Sequence, residues 1–395
     1  MATQSPGNTT GTAPEEGTVA TSLVVCSLEP WGEVRRRMRI LVDEIVDLEP
    51  SIQVLYVTPA VDIPHRVRHR DLAGITGPRL EKVHPRIHVL RPRKWLPRVL
   101  GGFADRSLER QVLDAVGEIG LPRPLLWVND AGYARFAVGT GWPILYDITD
   151  DWQLGPLAPR QLDRLVANED LLLERAGAVV VCSPDLARTR GRHRTVELIP
   201  NGVDVELFRA PRPRPTDLPP SPVAVYVGTL HTERVDVELV AELAAALPDV
   251  QIALVGPSSL PPETGAALRA VANVHLLGPR PYSQVPAYFQ HADVIVIPHL
   301  LNPFTESLDP IKAYECLAVG RPTVATPVAG FRELGPPVVV APRGEFVGAV
   351  RSALASAPPP GVPTTLPATP VPTWRERAES MDSLMDRVRN QGGPR

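Results

Sequence analysis

The fold can be predicted from residues 292–328, whose sequence is ADVIVIPHLLNPFTESLDPIKAYECLAVGRPTVATPV. The apolar run 292–299 predicts a buried strand that ends at a histidine, and 321–328 predicts a second strand. Between them, Asp309 and Pro310 are suited to begin a helix as the N-cap and the first helical residue. A strand, a helix and another strand in this order predict one unit of a parallel sheet. The charged residues directly behind the first strand indicate either a ligand site or a solvated helix start.

The same alternation of apolar strands and amphipathic helices runs along most of the chain. In the first half, strands are predicted at 22–28, 53–59, 124–130, 142–148, 176–183 and 195–202, with helices at 33–48, 105–119 and 160–175. In the second half, further strands are predicted at 223–229, 250–256, 274–278 and 338–342, with a helix at 233–247. Apolar strands separated by helices form parallel sheets that are covered on both faces. The predicted fold class is therefore α/β, with two doubly wound, Rossmann-like halves.

Proline-rich segments divide the chain, which has 395 residues and 46 prolines. Residues 210–222 have no periodic apolar pattern and predict a linker, and 357–373 predict a second connector. The predicted organisation is a disordered tail (1–20), a first Rossmann-like domain (21–209), the linker (210–222), a second Rossmann-like domain (223–356), the connector (357–373) and a last helical segment (374–395). Ligands of such folds bind in a cleft outside the carboxyl ends of the strands.

The composition excludes several classes of protein. A formal net charge of −3 gives no overall attraction to nucleic acid. No run approaches the ~20 apolar residues that span a bilayer. Cys26, Cys182 and Cys316 lie far apart in or beside apolar runs, which favours three buried free thiols. Free thiols, and a start that lacks the basic and apolar regions of a signal peptide, indicate a cytoplasmic location.

The predicted helix start has the chemistry of an anion site. The first amides of a helix, here those of Ile311 and Lys312, have no acceptor within the helix and point outward. Lys312 and Glu315 are three residues apart and share one helical face. A cation near a helix start opposes the helix dipole unless an anion binds there, and Glu315 could accept hydrogen bonds from ribose hydroxyls. The alternative is a capped helix with an internal ion pair.

A second candidate anion site lies in YVGTLHTERVD, residues 226–236. A glycine at a strand end lets a phosphate approach the backbone, and Arg234 would add a forked donor for two phosphate oxygens. A plain strand–helix turn with an exposed arginine is the alternative. The chain has neither the GxGxxG pattern of dinucleotide-binding domains nor a P-loop.

The segment PHLLNPFTESLDPIKAYECLAVGRPTVAT resembles the donor-site signature of GT-B glycosyltransferases of the retaining family 4 type. Other segments resemble the family in the same order: VVVCSPDLAR, LIPNGVDVELF, VGTLHTERVD, LPDVQIALVGP and VHLLGPRPYSQVPAYFQHADVIVIP. The likeness covers most of 22–335, and YDITDDW (146–152) is similar to an element of bacterial polysaccharide and natural-product transferases. The resemblance implies the GT-B fold, with an acceptor-binding first domain, a donor-binding second domain and a C-terminal helix that crosses back to the first.

The resemblance also implies a nucleotide-sugar site at named positions. Glu315 would bind the ribose, and the amides of Ile311 and Lys312 would hold the diphosphate together with Arg234. The segment LLGPRPYSQVP would face the base. The donor-binding residues that follow are Gly228, Thr229, Arg234, Arg280, Tyr282, Glu306, Ser307, Leu308, Asp309, Ile311, Lys312 and Glu315.

The chain departs from the signature at two positions. The first glutamate of the family's Glu-x7-Glu pattern falls on Ser307, with Glu306 one residue earlier and Asp309 two residues later. The family's usual arginine in the glycine turn falls on Thr229. Contacts with the sugar hydroxyls, and with them the identity of the sugar, stay open, as does the choice between a UDP and a GDP donor.

For the reaction, the resemblance implies front-face substitution with retention, in which the departing diphosphate helps to take the acceptor proton. Arg234, Lys312 and the helix dipole would stabilise its charge, so neither a metal nor a cofactor other than the nucleotide sugar is expected. The predicted catalytic residues are Asp130, Asp151, Arg234 and Lys312, and the predicted acceptor-side residues are Trp31, Gly32, Asn129 and Asp150. A structural turn is the alternative for Asn129 and Asp130. The neighbouring Asp150 and Asp151 face the acceptor or fix the cleft.

Three basic segments have two interpretations each. The arginines of EPWGEVRRRMR (29–39) hold an anionic acceptor or form a solvated helix face. HRVRHR (65–70) and RPRKWLPRVL (91–100) contact the inner face of an anionic membrane that carries a lipid-linked acceptor, or they are exposed arginine-rich loops. The expected partners are a nucleotide sugar and a small-molecule or lipid-linked acceptor, without nucleic acid.

The resemblance thus implies a hexosyltransferase-like bacterial enzyme of polysaccharide or natural-product biosynthesis. An epimerase or hydrolase of nucleotide sugars, or a transferase that joins cyclitols, is the alternative on the same fold. A nucleotide-binding scaffold without catalysis is a third hypothesis.

Overall fold

The computed structural model describes residues 21–32, 34–68, 77–95, 102–192, 194–361 and 370–391. The predicted tail 1–20 lies outside the described residues, as do 362–369 of the predicted connector and 392–395 of the last segment. The same holds for 69–70 and 96–100 of the basic segments. Within the described chain, two large sheets and one two-stranded sheet carry the architecture.

The first half of the chain forms the first sheet. Its strands and those of the small sheet are β1 (Ser22–Cys26), β2 (Gln53–Val57), β3 (Val61–Asp62), β4 (Leu80–His84), β5 (Ile87–Leu90), β6 (Arg93–Lys94), β7 (Leu125–Val128), β8 (Ile144–Ile148), β9 (Ala178–Val181) and β10 (Glu197–Leu198). The order across the first sheet is β10-β9-β8-β7-β1-β2-β5-β4, and β3 pairs with β6. Neighbours are parallel, apart from the antiparallel pair of β4 and β5.

The second half forms the second sheet, which is parallel throughout. Its strands are β11 (Val223–Val227), β12 (Gln251–Val255), β13 (Val274–Gly278), β14 (Val294–Ile297), β15 (Thr323–Ala325) and β16 (Val338–Val340). The order is β13-β12-β11-β14-β15-β16, so the chain runs outward from β11 in one direction and then, from β14, in the other. This reversal creates a switch point between β11 and β14, where ligands of doubly wound sheets bind.

Helices connect the strands. Their bounds are α1 (Arg37–Leu48), α2 (Ile63–Arg68), α3 (Gly102–Ile119), α4 (Ala134–Thr140), α5 (Pro159–Arg175), α6 (Pro184–Arg190), α7 (Val205–Arg209), α8 (Val237–Ala246), α9 (Pro262–Arg269), α10 (Val285–Gln290), α11 (Pro303–Glu306), α12 (Ile311–Val319), α13 (Arg343–Ala355) and α14 (Trp374–Gln391). Of the helices in the described chain, none combines the length and the apolar character that crossing a bilayer requires.

Burial on both faces explains the central strands. All five residues of β1 are buried. Val24 packs into the apolar cluster on one side of the sheet, and Leu23 and Val25 pack into the cluster on the other. Because such strands need apolar side chains at every position, they appear in the sequence as continuous apolar runs. The predicted α/β fold class is confirmed, and the three predicted free thiols are buried as well.

The last helix returns to the first sheet. α14 packs along α1, and its residues Trp374, Met381 and Met385 are buried in the same cluster as Leu23 and Val25 of β1. The chain reaches this position only after it has completed the second sheet. The predicted crossing back of the C-terminal helix is therefore confirmed.

Two local predictions are corrected by the structure. The β4–β5 edge was not predicted, because β4 (LEKVH) is largely exposed and has no apolar run. The assignment of Asp309 as the N-cap of α12 is wrong, since the helix begins at Ile311 with Pro310 in the N-cap position. The Asp309 carboxylate instead accepts hydrogen bonds from the Asn201 amide and the Tyr314 hydroxyl.

The segment 210–222 packs against the second domain. Leu218 is buried in the core of that domain. The Tyr288 hydroxyl donates to Asp217, and the Arg212 amide donates to the side chain of Gln290. Hydrogen bonds rather than a periodic apolar stripe hold this proline-rich segment, which is why the sequence indicates a linker here.

Candidate active site

The cleft side of the second sheet begins at the glycine turn after β11. Gly228 has a φ of 148°, a backbone conformation that L side chains rarely adopt. A Cβ at this position would lie 2.2 Å from Cε of Lys312. The Lys312 side chain therefore passes directly over the turn, and the turn after β11 meets the start of α12.

The start of α12 adds a second feature that favours anions. Pro310 is the N-cap, so Ile311 and Lys312 are the first helical residues, and their amides have no acceptor within the helix. The Ala313 amide already donates to the Pro310 carbonyl at 2.9 Å. An anion over Gly228 would thus meet the Lys312 ammonium and the positive end of the helix dipole.

Lys312 and Glu315 form a charge pair within one helical turn. Burial raises the pKa of Glu315 to about 7, although the Lys312 ammonium opposes this shift. Burial and the charge of Arg234 lower the pKa of Lys312 to about 8, with Glu315 acting in the opposite direction. Both shifts have the sign expected when charged groups lose water. An anionic ligand would further favour the charged form of Lys312.

Arg234 is a second cation at the same place. Its guanidinium lies 4.0 Å from the carboxylate of Asp150 in the first domain and 5.9 Å from the ring of Phe304. Its Nε is buried and has no hydrogen-bond partner among the described residues. A buried donor without an acceptor costs free energy until a ligand accepts from it. Arg234 is accordingly suited to bind a phosphate oxygen.

His299 lies beside Lys312 and Arg234, although it was not among the predicted site residues. It is buried, and its Nε2 lies 3.4 Å from the Tyr226 hydroxyl. Burial and the charges of Lys312 and Arg234 hold the pKa of His299 well below its usual range, so the ring is neutral. Its place directly behind the run of β14, at the carboxyl edge of the sheet, is the signal that could have identified it.

Arg36 reaches the glycine turn from the first domain. Its guanidinium donates to Oγ1 of Thr229 at 3.4 Å. Its charge also acts on Lys312 and Asp150 across the cleft. Thr229 is the position at which the family resemblance implies an arginine, so Arg36 brings a guanidinium to that position from the other domain. No local pattern in the sequence indicates this contact, because it joins residues from different domains.

The loop before α12 ties the two domains together. Oγ of Ser183 donates to the carbonyl of Ser307 at 2.6 Å. The backbone amide and the side-chain amide of Asn201 both donate to Asp309 at 2.5 Å. Ser183 and Asn201 belong to the first domain. The loop that leads into α12 of the second domain is therefore held by hydrogen bonds from the first domain.

The three candidates for the family's first glutamate have different surroundings. Both carboxylate oxygens of Glu306 accept from Arg332 at 2.8 Å near the surface. Ser307 and Leu308 are buried, and the Asp309 carboxylate is used by first-domain and helix contacts. Glu306 is therefore the one whose carboxylate a sugar could reach by replacing a surface arginine.

On the first-domain side, Asn129, Asp130 and Asp150 line a cavity at the carboxyl ends of β7 and β8. The side-chain amide of Asn129 is used within the protein: its oxygen accepts from the Leu28 amide at 3.1 Å, and its nitrogen donates to the Asp147 carbonyl at 3.1 Å. Asp130 accepts from the Gly132 amide at 2.8 Å. Asn129 and Asp130 thus shape the turn, as the structural alternative for them implied.

Asp151 is placed differently from its neighbour Asp150. Its two carboxylate oxygens accept from Arg190 at 2.7 and 2.8 Å, and Arg190 also donates to Glu169 at 2.6 Å. All three side chains are buried. This arrangement gives Asp151 a structural ion pair, which conflicts with its prediction as a catalytic residue.

The residues predicted near the base separate into two groups. Arg280 pairs with Asp217 and donates to the Tyr288 hydroxyl at 2.7 Å, so its guanidinium is directed at the segment 210–222. Tyr282 packs 5.9 Å from the ring of Phe208. Burial and the nearby charge of Glu315 raise the pKa of Tyr282, which places this tyrosine beside the α12 site.

The acceptor-side residues Trp31 and Gly32 lie in the loop before α1. The Trp31 ring contacts Tyr56 at 4.9 Å between centroids, and the Arg39 guanidinium stacks on it at 3.7 Å. Gly32 is exposed, with no heavy atom within 4 Å of where a Cβ would be. Arg39, one of the arginines of 29–39, therefore has a partner within the protein.

The second domain matches a known family. Residues 221–356 match the family model described as Glycosyl transferases group 1. The matched region contains the glycine turn, Arg234, His299 and the whole of α12. The second-domain residues of the candidate anion site therefore all lie inside the matched region.

Further comparisons cover most of the chain. The chain is 22% identical over 344 residues to TuaH of Bacillus subtilis (strain 168), which is named as a glycosyltransferase of teichuronic acid biosynthesis, with 80% of this chain and 83% of that protein covered. The fold is similar to that of HepE of Anabaena in complex with UDP-glucose (TM-score 0.58, 16% identity, 94% of this chain and 98% of that one). The fold is also similar to that of a UDP-forming α,α-trehalose-phosphate synthase from Burkholderia vietnamiensis (TM-score 0.55, 12% identity, with 94% of this chain and 95% of that one covered). The fold is GT-B, and the comparisons support a glycosyltransferase of group 1.

Proposed function

We propose that the protein is a retaining, metal-independent glycosyltransferase that takes a hexose from a UDP-sugar. The observation that carries this proposal is the convergence of the Gly228 turn, the start of α12, Lys312 and Arg234 on one place in the cleft. Such a place fits a diphosphate, since it combines a close backbone approach, free amides and two cations. The choice of UDP over GDP is supported by HepE, whose structures contain UDP and UDP-glucose.

In the proposed complex, the second domain holds the donor. The diphosphate accepts hydrogen bonds from the amides of Ile311 and Lys312, and Arg234 and Arg36 bind its outer oxygens. Glu315, which is buried one turn into α12, accepts hydrogen bonds from the ribose hydroxyls. The uridine then lies towards Tyr282, the residue whose hydroxyl is electrostatically coupled to Glu315.

Catalysis in this proposal rests on stabilising the leaving group. As the bond from the sugar to the diphosphate breaks, negative charge grows on the β-phosphate, where Lys312, Arg234 and the helix dipole already point. The acceptor attacks from the same face, and an oxygen of the leaving diphosphate takes its proton. Neutral His299 lines the site without adding a third positive charge beside the diphosphate.

The first domain, residues 21–209, is proposed to bind the acceptor in a cytoplasmic step of polysaccharide biosynthesis. The likeness to TuaH supports this pathway class. Asp150 lies between the two parts of the site, because it lines the first-domain cavity and pairs with Arg234 of the donor side. It is therefore suited to orient the acceptor towards the transferred sugar.

The proposal is tested by titration calorimetry with UDP on the wild type and on Glu315→Ala and Arg234→Ala. Each substitution removes a charge-assisted hydrogen bond worth about 1.5–3 kcal/mol, so the Kd for UDP should rise at least about tenfold. Glu345→Ala and Arg351→Ala, which change exposed residues of α13, serve as matched controls and should bind UDP like the wild type.

Unchanged affinity in both site variants would remove the assignment of the donor site. A second measurement concerns the reaction itself. Rapid epimerisation, or stoichiometric hydrolysis, of UDP-glucose in the absence of an acceptor would favour the epimerase or hydrolase hypothesis over a transferase.

A further inference from the structure

The cavity of the first domain has its own chemistry, apart from the donor site. It measures about 610 Å³ and lies outside the carboxyl ends of β7 and β8, where Asn129 and Asp150 form part of its wall. This volume is in the range of small-molecule sites, roughly 300–1,000 Å³. Apolar residues such as Leu108, Ile148 and Leu165 also line it, so the cavity suits a molecule with both apolar and polar surface.

The charged residues of the wall are mostly acidic. The described lining residues with a carboxylate are Asp62, Asp105, Glu109, Asp130, Asp150 and Glu169, and those with a cation are Lys94 and Arg164. Four of these carboxylates are paired with cations: Asp62 with Lys94, Asp105 with Arg164, Asp150 with Arg234 and Glu169 with Arg190. A remaining carboxylate in a concave, partly buried site attracts a ligand of the opposite sign.

Both cations of the wall are already paired. Lys94 lies 3.1 Å from Asp62, and Arg164 donates to both oxygens of Asp105 at 2.8 and 2.9 Å. Glu109 has neither a hydrogen bond nor an ion pair with any described residue. Burial and the like charge of Asp105 raise the pKa of Glu109, although the charges of Arg106 and Arg135 oppose this shift.

A second group in the wall also lacks a partner. Tyr133 lines the cavity, the residue is 6% exposed, and its hydroxyl has no hydrogen-bond partner in the described part of the chain. Burial, the nearby Cys26 thiol and the charges of Asp130, Glu109 and Asp105 all raise the pKa of this hydroxyl. Buried polar groups are normally satisfied in native proteins, so an orphaned hydroxyl beside an acidic wall indicates a ligand that supplies the partner.

We propose that the acceptor carries a protonated amine, as an amino sugar or an amino-bearing polyol does. This inference rests on the proposed function, in which the first domain binds the acceptor. The ammonium binds in the acidic wall at Glu109, while apolar residues contact the body of the molecule. This replaces the anionic acceptor that the arginines of 29–39 suggested, since Arg36 and Arg39 have other partners. An organic cation fits better than a metal ion, because no three possible ligand side chains cluster among the described residues.

The test uses three sugars of similar size and different charge, in the presence of saturating UDP. Saturation-transfer NMR and competition titrations at about pH 6.5 compare glucosamine, N-acetylglucosamine and glucose 6-phosphate. The proposal predicts that glucosamine binds most tightly, about five- to tenfold more tightly than its uncharged N-acetyl counterpart, as for a partly buried ion pair. Equal binding of the amine and the N-acetyl sugar, or tighter binding of the phosphate, would overturn it.

Variants locate the effect. Glu109→Gln should abolish most of the preference for glucosamine, whereas Glu118→Gln, on the exposed side of the same helix, should preserve it. Tyr133→Phe should weaken sugar binding without lowering the Tm, because it removes a hydroxyl that has no partner in the fold. If UDP binds normally and Glu109→Gln keeps the full preference, this inference fails while the proposed function stands. If UDP does not bind the wild type, the proposed function fails first.

Discussion

Lys312 differs from an ordinary surface lysine in what surrounds its ammonium. It passes over Gly228, and the charges of Arg234 and Glu315 act on it in opposite directions. Loss of water and the neighbouring cation both favour the neutral amine, so the pKa of Lys312 falls to about 8. A bound diphosphate would reverse this balance, because it favours the ammonium.

This gives a prediction for pH. Binding of UDP raises the pKa of Lys312 above about 8, so the complex takes up a proton when it forms in alkaline solution. Affinity should therefore begin to fall as the pH approaches about 8 and be up to about tenfold lower at about pH 9. Calorimetry in buffers of different ionisation enthalpy measures both the affinity and the proton uptake.

Lys312→Gln is the control for this prediction. It removes the titrating group, so UDP should bind more weakly and without the fall in affinity over the same pH interval. A wild-type profile that is flat up to about pH 9, or a Lys312→Gln variant with the wild-type slope, would show that Lys312 does not contact the diphosphate.

At the scale of residues, sequence reasoning identified groups that follow a local rule. Lys312 and Glu315 could be found because helical spacing places them on one face, and Arg234 because it follows a glycine turn. Asp309 was assigned as a cap by the same kind of rule, but its carboxylate is bound by Asn201, which is distant in the sequence. Contacts of that kind leave no local pattern.

Among the elements, α14 connects the two halves of the chain, because it returns from the second half to the first sheet. Met381 and Met385 are fully buried against the cluster that contains β1 and α1. The helix is therefore part of the core of the first domain, although it is remote from it in the sequence.

Met385→Ala should destabilise the protein by about 2–5 kcal/mol, since it leaves a cavity between α14 and the first sheet. Urea unfolding followed by tryptophan fluorescence measures this loss, because Trp127 and Trp374 lie in the same cluster. Met385→Leu, which nearly conserves the volume, should cost less than about 1.5 kcal/mol. Equal stability of the alanine variant and the wild type would mean that α14 does not brace the first domain.

Among the elements, the central strands and long helices could be predicted, and the edges could not. The run VHLLG gave β13 at its observed bounds, and α5 begins one residue before its predicted start. By contrast, β4 has exposed side chains and is set by pairing with β5, which an apolar pattern does not show. The segment 195–202 contains only the two strand residues of β10, because it lies at the other edge of the sheet.

In the whole molecule, the two domains meet through polar contacts and through apolar ones, such as that of the Trp152 and Phe304 rings. Ser183 and Asn201 hold the loop before α12, and Arg36 and Asp150 reach the glycine turn and Arg234. The alternation of strands and helices predicts two sheets and a cleft, but not which side chains meet across it. That pairing decides where a donor and an acceptor can lie.

In the proposed complex, the diphosphate of a nucleotide sugar binds between the Gly228 turn and the start of α12. A crystal structure of the protein with UDP tests it most directly. We expect the β-phosphate within hydrogen-bonding distance of the Ile311 and Lys312 amides and of the Arg234 guanidinium, with the ribose hydroxyls on Glu315. UDP bound elsewhere, or a ribose without contact to Glu315, would contradict it.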